Sequence, residues 1–140
     1  MPEEKFQNRA RVFVAGQELE DVYECHYTIR TDMARSGLPQ KSALTHRIFI
    51  TRRSDAATPG FTWAHDSKPS NFQSGKIQFY NTAGEVFKTL EWNRGYVVDY
   101  EEGVPDLTEA ERSTMVEKLE IAAEEFICGD KSVNNHWRLD

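Results

Sequence analysis

Cys25 and His26 are adjacent in the chain, and a thiol beside an imidazole is what a cysteine nucleophile needs, provided the two groups come within about 3 Å. Their surroundings keep them apart. From Val22 to Arg30 apolar and polar residues alternate, so Tyr23, Cys25, Tyr27 and Ile29 face one side of a strand and Glu24, His26, Thr28 and Arg30 the other. Cys25 then reads as a core thiol without a local base. The four histidines, His26, His46, His65 and His136, show no HxH, HxxxH or Cys-x-x-His spacing that would preassemble a metal site. The acid pairs Glu101-Glu102 and Glu124-Glu125 hold the right groups for general acid and base work, but adjacent carboxylates on extended backbone diverge. Gly75-Lys76 lacks a glycine-rich approach and is followed by Ile77 where a phosphate loop has Ser or Thr. Arg47, Arg52 and Arg53 near Phe49 could form a small basic and aromatic patch, but with acids so plentiful in the chain cross-strand ion pairing is the reading to prefer. Trp63, Trp92 and Trp137 read as core or interface anchors. No catalytic, cofactor-binding or metal-binding residue is expected, so surfaces are left to carry function.

The elements that position these residues are short strands. The 140 residues suffice for one domain, 1–140, with a core that needs neither disulfides nor metals, and no repeat or Pro/Gly/Ser-rich linker divides them. Two cysteines without CxxC spacing make no disulfide framework. A net charge of −6 disfavours nucleic acid and anionic membranes as partners, and no apolar run is long enough to span a bilayer. The opening MPEEKFQNRA has no signal-peptide core, which implies a cytoplasmic start and, if the chain leaves the cell, export by another route.

Arg11 to Ala15 is a β-rich run ended by Gly16-Gln17, and with the Val22–Arg30 strand it makes an expected hairpin. Thr31 to Ser42 carries Asp32, Gly37 and Pro39 and reads as a long polar loop. Leu44, His46, Ile48 and Ile50 alternate with Thr45, Arg47, Phe49 and Thr51 as a third strand. Between Ser54 and Gly75 at most a short helix fits, around Gly60-Phe-Thr-Trp-Ala-His65. Lys76–Tyr80, Val86–Trp92 and Tyr96–Tyr100, separated by Thr82-Ala-Gly84 and Asn93-Arg-Gly95, read as an antiparallel meander. The last segment is ambiguous. Thr108 and Glu111 fit a capping box and Val116, Leu119, Ala123, Phe126 and Ile127 fall at helical spacing, while Leu119, Ile121 and Ala123 against Lys118, Glu120 and Ala122 fit a strand.

A set of phrases, in order, resembles the tube protein of bacterial type VI secretion, the hemolysin-coregulated protein, particularly its Bacteroidetes-type branch. They are Val14-Ala-Gly-Gln-Glu18, Tyr23-Glu-Cys-His-Tyr27, Asp32-Met-Ala-Arg-Ser-Gly-Leu-Pro39, Gly75-Lys-Ile-Gln-Phe-Tyr80, Tyr96-Val-Val-Asp-Tyr100, Leu119-Glu-Ile-Ala-Ala-Glu-Glu125 and Asn135-His-Trp137. The resemblance implies a mainly β fold, an antiparallel β-barrel with one short helix, and makes the closing segment from Met115 to Ile127 a strand against its helix-favouring composition. It also implies a structural subunit and no enzyme: hexameric rings stacked into a tube inside a contractile sheath, exported without a signal peptide, with sheath, spike and effector proteins as partners.

Seven short strands must hide their edges, and a closed ring of heterologous contacts does so between subunits. On this reading Asp32, Arg35, Gly37, Leu38 and Pro39 form a ring-stacking loop with Leu38 as its apolar tip, and Glu24, His26, Thr28 and Arg30 form a lumen or interface face. The alternatives are a monomeric β-barrel module that binds a small ligand or peptide, and the tube of a phage-like extracellular injection particle.

Overall fold

In the computed structural model the described residues are 10–33, 35–56, 59–66, 68–104 and 115–137. Eight strands among them form one antiparallel sheet: β1 (Ala10–Val14), β2 (Gln17–Leu19), β3 (Val22–Met33), β4 (Pro39–Arg53), β5 (Gln73–Tyr80), β6 (Val86–Gly103), β7 (Val116–Cys128) and β8 (Lys131–Asn134). One helix, α1 (Pro59–His65), and a short 3₁₀ turn at Pro69–Asn71 separate β4 from β5. The strand order is β2-β1-β5-β6-β7-β4-β3, with β8 also on β7.

Although β1 and β3 stand near opposite ends of this order, Val12 and Val14 of β1 share one core with Ile48 and Ile50 of β4, Leu119 and Ile121 of β7, and Leu90 and Trp92 of β6. The sheet is therefore curled into an incomplete barrel around its apolar face, as alternation requires once every strand turns the same side inward. Trp92 anchors the middle: its indole N–H donates to the Gln73 carbonyl at 3.0 Å. Gly75 makes room for it, since a Cβ there would lie 2.4 Å from the Trp92 ring and 2.3 Å from the Phe13 carbonyl oxygen.

The closing segment is strand β7, as the resemblance implied; burial along Glu117, Leu119, Ile121 and Ala123 has period two, and tertiary pairing overrides helix propensity. Thr108 and Glu111 lie outside the described residues. Other expectations need correction. The long loop from Thr31 to Ser42 is mostly strand, because β3 runs to Met33 and β4 begins at Pro39, with Met33 opposite Pro39. The hairpin partner of β1 is the short β2, and β3 pairs with β4 instead. The runs Val86–Trp92 and Tyr96–Tyr100 are one strand, β6. What looked like a turn at Asn93-Arg-Gly95 is a local irregularity within it, where Arg94 takes a positive φ of 58° and is skipped in the ladders to both neighbours.

Candidate assembly surfaces

The row Glu24, His26, Thr28 and Arg30 is exposed on the outside of β3, as alternation dictated. The ladder sets these residues opposite Thr51, Phe49, Arg47 and Thr45 of β4. The same face continues onto β7, where Phe49 is paired with Glu120 and Thr51 with Lys118, and onto β6, where Glu120 meets Asp99 and Lys118 meets Glu101. Four strands thus build one polar, mixed-charge face. The His26 imidazole stacks on Phe49 with centroids 4.8 Å apart, and Arg47 pairs with Glu120 at 3.4 Å. A shallow groove of about 310 Å³ lies between Glu24, His26, Asp99, Glu101, Lys118 and Glu120.

Cys25 lies on the other side of β3, opposite Ile50, half-buried against the core. Burial pushes its thiol pKa up to about 12, so it is no nucleophile at neutral pH. The suggested basic patch does not form. Arg47 shares the outer face with Phe49, but Arg52 turns inward to Glu117 at 2.6 Å, and Arg53 lies 3.5 Å from Asp21. Trp63 and Trp92 are core residues, whereas half-buried Trp137 packs with Phe72 and Tyr96 in an aromatic trio of centroid separations 5.2 to 5.7 Å.

The described residues 35–38 lie at the end of the β3–β4 hairpin. Arg35, Gly37 and Leu38 are exposed, Gly37 with φ of 89°, and Leu38 retains 65% of its surface in solvent beside Met33 with 72%. The side chains of Asp32 and Pro39 lie outside the described residues. The tip is thus an apolar point at the end of the hairpin, beyond a register shift between the Thr31–Leu44 and Met33–Pro39 pairs. β2 and β3 form the two edges of the main strand path, and among the described residues only β4 pairs with β3. Such an edge offers its unpaired N–H and C=O groups to another chain.

Two features of the β4–β7 ladder escaped the reading of the sequence. At one end Arg52 and Glu117, 2% and 1% exposed, form a buried pair. Arg52 also donates to Asp55 at 3.0 Å and to the Glu20 carbonyl at 3.0 Å, and the Tyr100 hydroxyl donates to Glu117 at 2.6 Å. Burial disfavours the Arg52 charge, but its bonds to Glu117 and Asp55 more than offset this and raise its pKa. Burial and then the Glu117 contact raise the Tyr100 pKa. Helix α1 abuts this end, and a Cβ on Gly60 would lie 2.8 Å from a Glu117 oxygen. At the other end the β4–β7 pairing stops at Arg47 and Ala122, and β8 takes over along β7 from Glu125. His46 fills this fork, 1% exposed, its Nε2 2.6 Å from the Ala123 carbonyl oxygen. The signal was present in both cases: Arg52 and His46 share the alternation of Ile48 and Ile50, and Glu117 that of Leu119 and Ile121.

A curled antiparallel sheet whose edge strands β2 and β3 have no further strand partner among the described residues, with a polar outer face and an apolar hairpin tip, presents surfaces suited to assembly. Residues 6–138 match the family described as hemolysin coregulated protein Hcp (TssD), and the chain belongs to that family, the tube proteins of type VI secretion. Hcp1 from Flavobacterium johnsoniae has the same fold at 22% identity, with a TM-score of 0.73 over 91% of this chain and 100% of that one. Hcp1 from E. coli EAEC 042 matches at 11% identity and a TM-score of 0.67, over 91% and 99% of the two chains. A chain of an extracellular contractile injection system, the PVC sheath–tube complex, matches at 16% identity and 0.58, over 86% and 88%. No curated protein sequence matches the chain.

Proposed function

We propose that the chain forms homo-hexameric rings that stack into the inner tube of a type VI secretion machine, and that its role is structural, without catalysis. Membership of the tube-protein family is the observation that carries this reading, and the edges β2 and β3, which pair with no further strand among the described residues, agree with it. An edge strand of twelve residues is an aggregation hazard unless a neighbour covers it, and a closed ring covers every such edge. The face carrying Glu24, His26, Thr28 and Arg30 lines the lumen, where interspersed charges and few exposed apolar groups let a folded effector pass without sticking. The tip at Asp32, Arg35, Gly37, Leu38 and Pro39 makes the ring-to-ring contact, because Leu38 and Met33 give it apolar surface that a neighbouring ring would bury. Sheath, spike and effector proteins are the expected partners, and the tube and its contents leave the cell through the machine. No helix among the described residues is long and apolar enough to cross a membrane.

Size-exclusion chromatography with light scattering tests the ring. The expected mass is that of six copies of the 16.2 kDa chain; a monomer at every concentration would contradict it and favour a single-subunit binding module.

A further inference from the structure

The fork between β4 and β8 contains the one histidine of the described residues that is both fully buried and incompletely bonded. The Nε2 of His46 faces the Ala123 carbonyl oxygen at 2.6 Å. That oxygen can only accept, so Nε2 carries a proton, and in the neutral ring Nδ1 then holds a bare lone pair. Its Nδ1 is buried without a partner. The contact lies just beyond Arg47–Ala122, the last β4–β7 pair. From Arg30 and Thr45 outward, β4 is paired only with β3 among the described residues. Among the described residues the His46–Ala123 bond is therefore the outermost tie between the β3–β4 arm and the rest of the sheet.

We propose that His46 is an acid-released latch for the β3–β4 arm: neutral, it holds the root of the arm to β7, and protonated, it lets the arm swing free.

Protonation adds a charge and a second N–H in a place that satisfies neither. Ile29 is opposite on β3, and Phe126 of β7 lies with its centroid 4.3 Å away. Tyr27 of β3 packs edge-on to Phe126. On β7, Glu124 is engaged by Arg94 and by the Trp137 N–H, and Glu125 by Asn93, so neither turns toward the imidazole. The charge that acts on it belongs to Arg47, whose guanidinium donates to the His46 carbonyl oxygen at 3.1 Å and repels an imidazolium. Burial first, and Arg47 second, keep the ring neutral below the pH at which a free histidine protonates, with the Ala123 bond opposing them. An open arm restores an ordinary histidine. Opening therefore becomes easier as pH falls below about 6.5, by up to about tenfold per pH unit, until the closed form itself takes up the proton.

The latch concerns one chain, while its effect on tubes rests on the stacking role proposed for the arm. The test is amide hydrogen exchange of the full chain at pH 7.5 and pH 5.0, corrected for intrinsic rates, together with light scattering of assembled material. Peptides from Tyr27 to Arg47 should open more readily at the lower pH, by up to about thirtyfold, while those from β5 and the middle of β6 stay protected. His46→Gln, which keeps a donor for Ala123 and cannot titrate, should remove the pH dependence. An arm equally protected at both pH values in the wild type, or an equal response in His46→Gln, overturns the latch. Should His46→Gln not fold, the wild-type His46 ring followed by NMR serves instead: arm opening must track its titration, and opening with no such link overturns the proposal. An arm that opens in acid while tubes persist leaves the latch standing and removes the arm from stacking; tubes that dissolve while the arm stays protected overturn the latch.

Discussion

The two ends of the β4–β7 ladder are built on opposite principles. At the α1 end the strands are tied by Arg52 and Glu117, a buried ion pair with Tyr100, Asp55 and the Glu20 carbonyl as further partners. At the arm end they are tied by a neutral imidazole and one carbonyl. A charged pair with its hydrogen-bonding capacity met is locked, because separating it strands a charge in the interior. A single neutral bond with an idle ring nitrogen is releasable. The difference separates the part of the molecule that must hold its shape, the barrel with its helix, from the part proposed to reach a neighbouring ring.

Removing one charge should break the contrast most sharply. Glu117→Ala leaves Arg52 buried without its main partner and should lower unfolding stability by about 3–5 kcal/mol in urea titration. Replacing both, as Arg52→Met with Glu117→Leu, should recover most of that loss; a double variant as unstable as the single one would show that packing against α1, rather than stranded charge, holds this end. Tyr100→Phe removes one hydrogen bond to a carboxylate and should cost about 1–2 kcal/mol in the same measurement.

At the arm end the response should come from pH. His46 has a folded-state pKa below its unfolded one, so the unfolded chain takes up the proton first. Its contribution to stability is complete above about pH 6.5 and is lost as pH falls below that value, at no more than about 1.4 kcal/mol per pH unit. Between pH 7.5 and 5.0 the stability of the wild type should fall further than that of His46→Gln, by no more than about 2 kcal/mol. Parallel curves would erase the distinction between the two ends.

The same contrast explains what could be read in advance. Strand faces were legible because alternation survives whatever pairs with a strand: His46, Ile48 and Ile50 inward, Glu24, His26, Thr28 and Arg30 outward. Pairing was not, since no local feature of Ala10–Val14 says that its ladders run to Gln17–Leu19 and to distant Gln73–Tyr80. Asn93-Arg-Gly95 reads as a turn because turns and strand irregularities draw on the same residues, those tolerant of positive φ. Thr31 to Ser42 reads as a loop because Asp32, Gly37 and Pro39 outweigh the β-compatible residues around them, and the ladder there is indeed irregular: Thr31 pairs with Leu44 and Met33 with Pro39, with a register shift between them. For the closing segment local propensity argued for a helix, and family resemblance supplied the strand.

The central claim is a tube built from stacked rings, and Leu38 tests it most directly. Leu38 is 65% exposed at the end of the arm, so Leu38→Asp should change monomer stability by less than about 0.5 kcal/mol. Negative-stain micrographs of wild type and variant at equal concentration should show stacked tubes for the first and single rings for the second, since the new carboxylate would be carried unpaired into each axial contact. Tubes of unchanged length and number in Leu38→Asp would contradict the account.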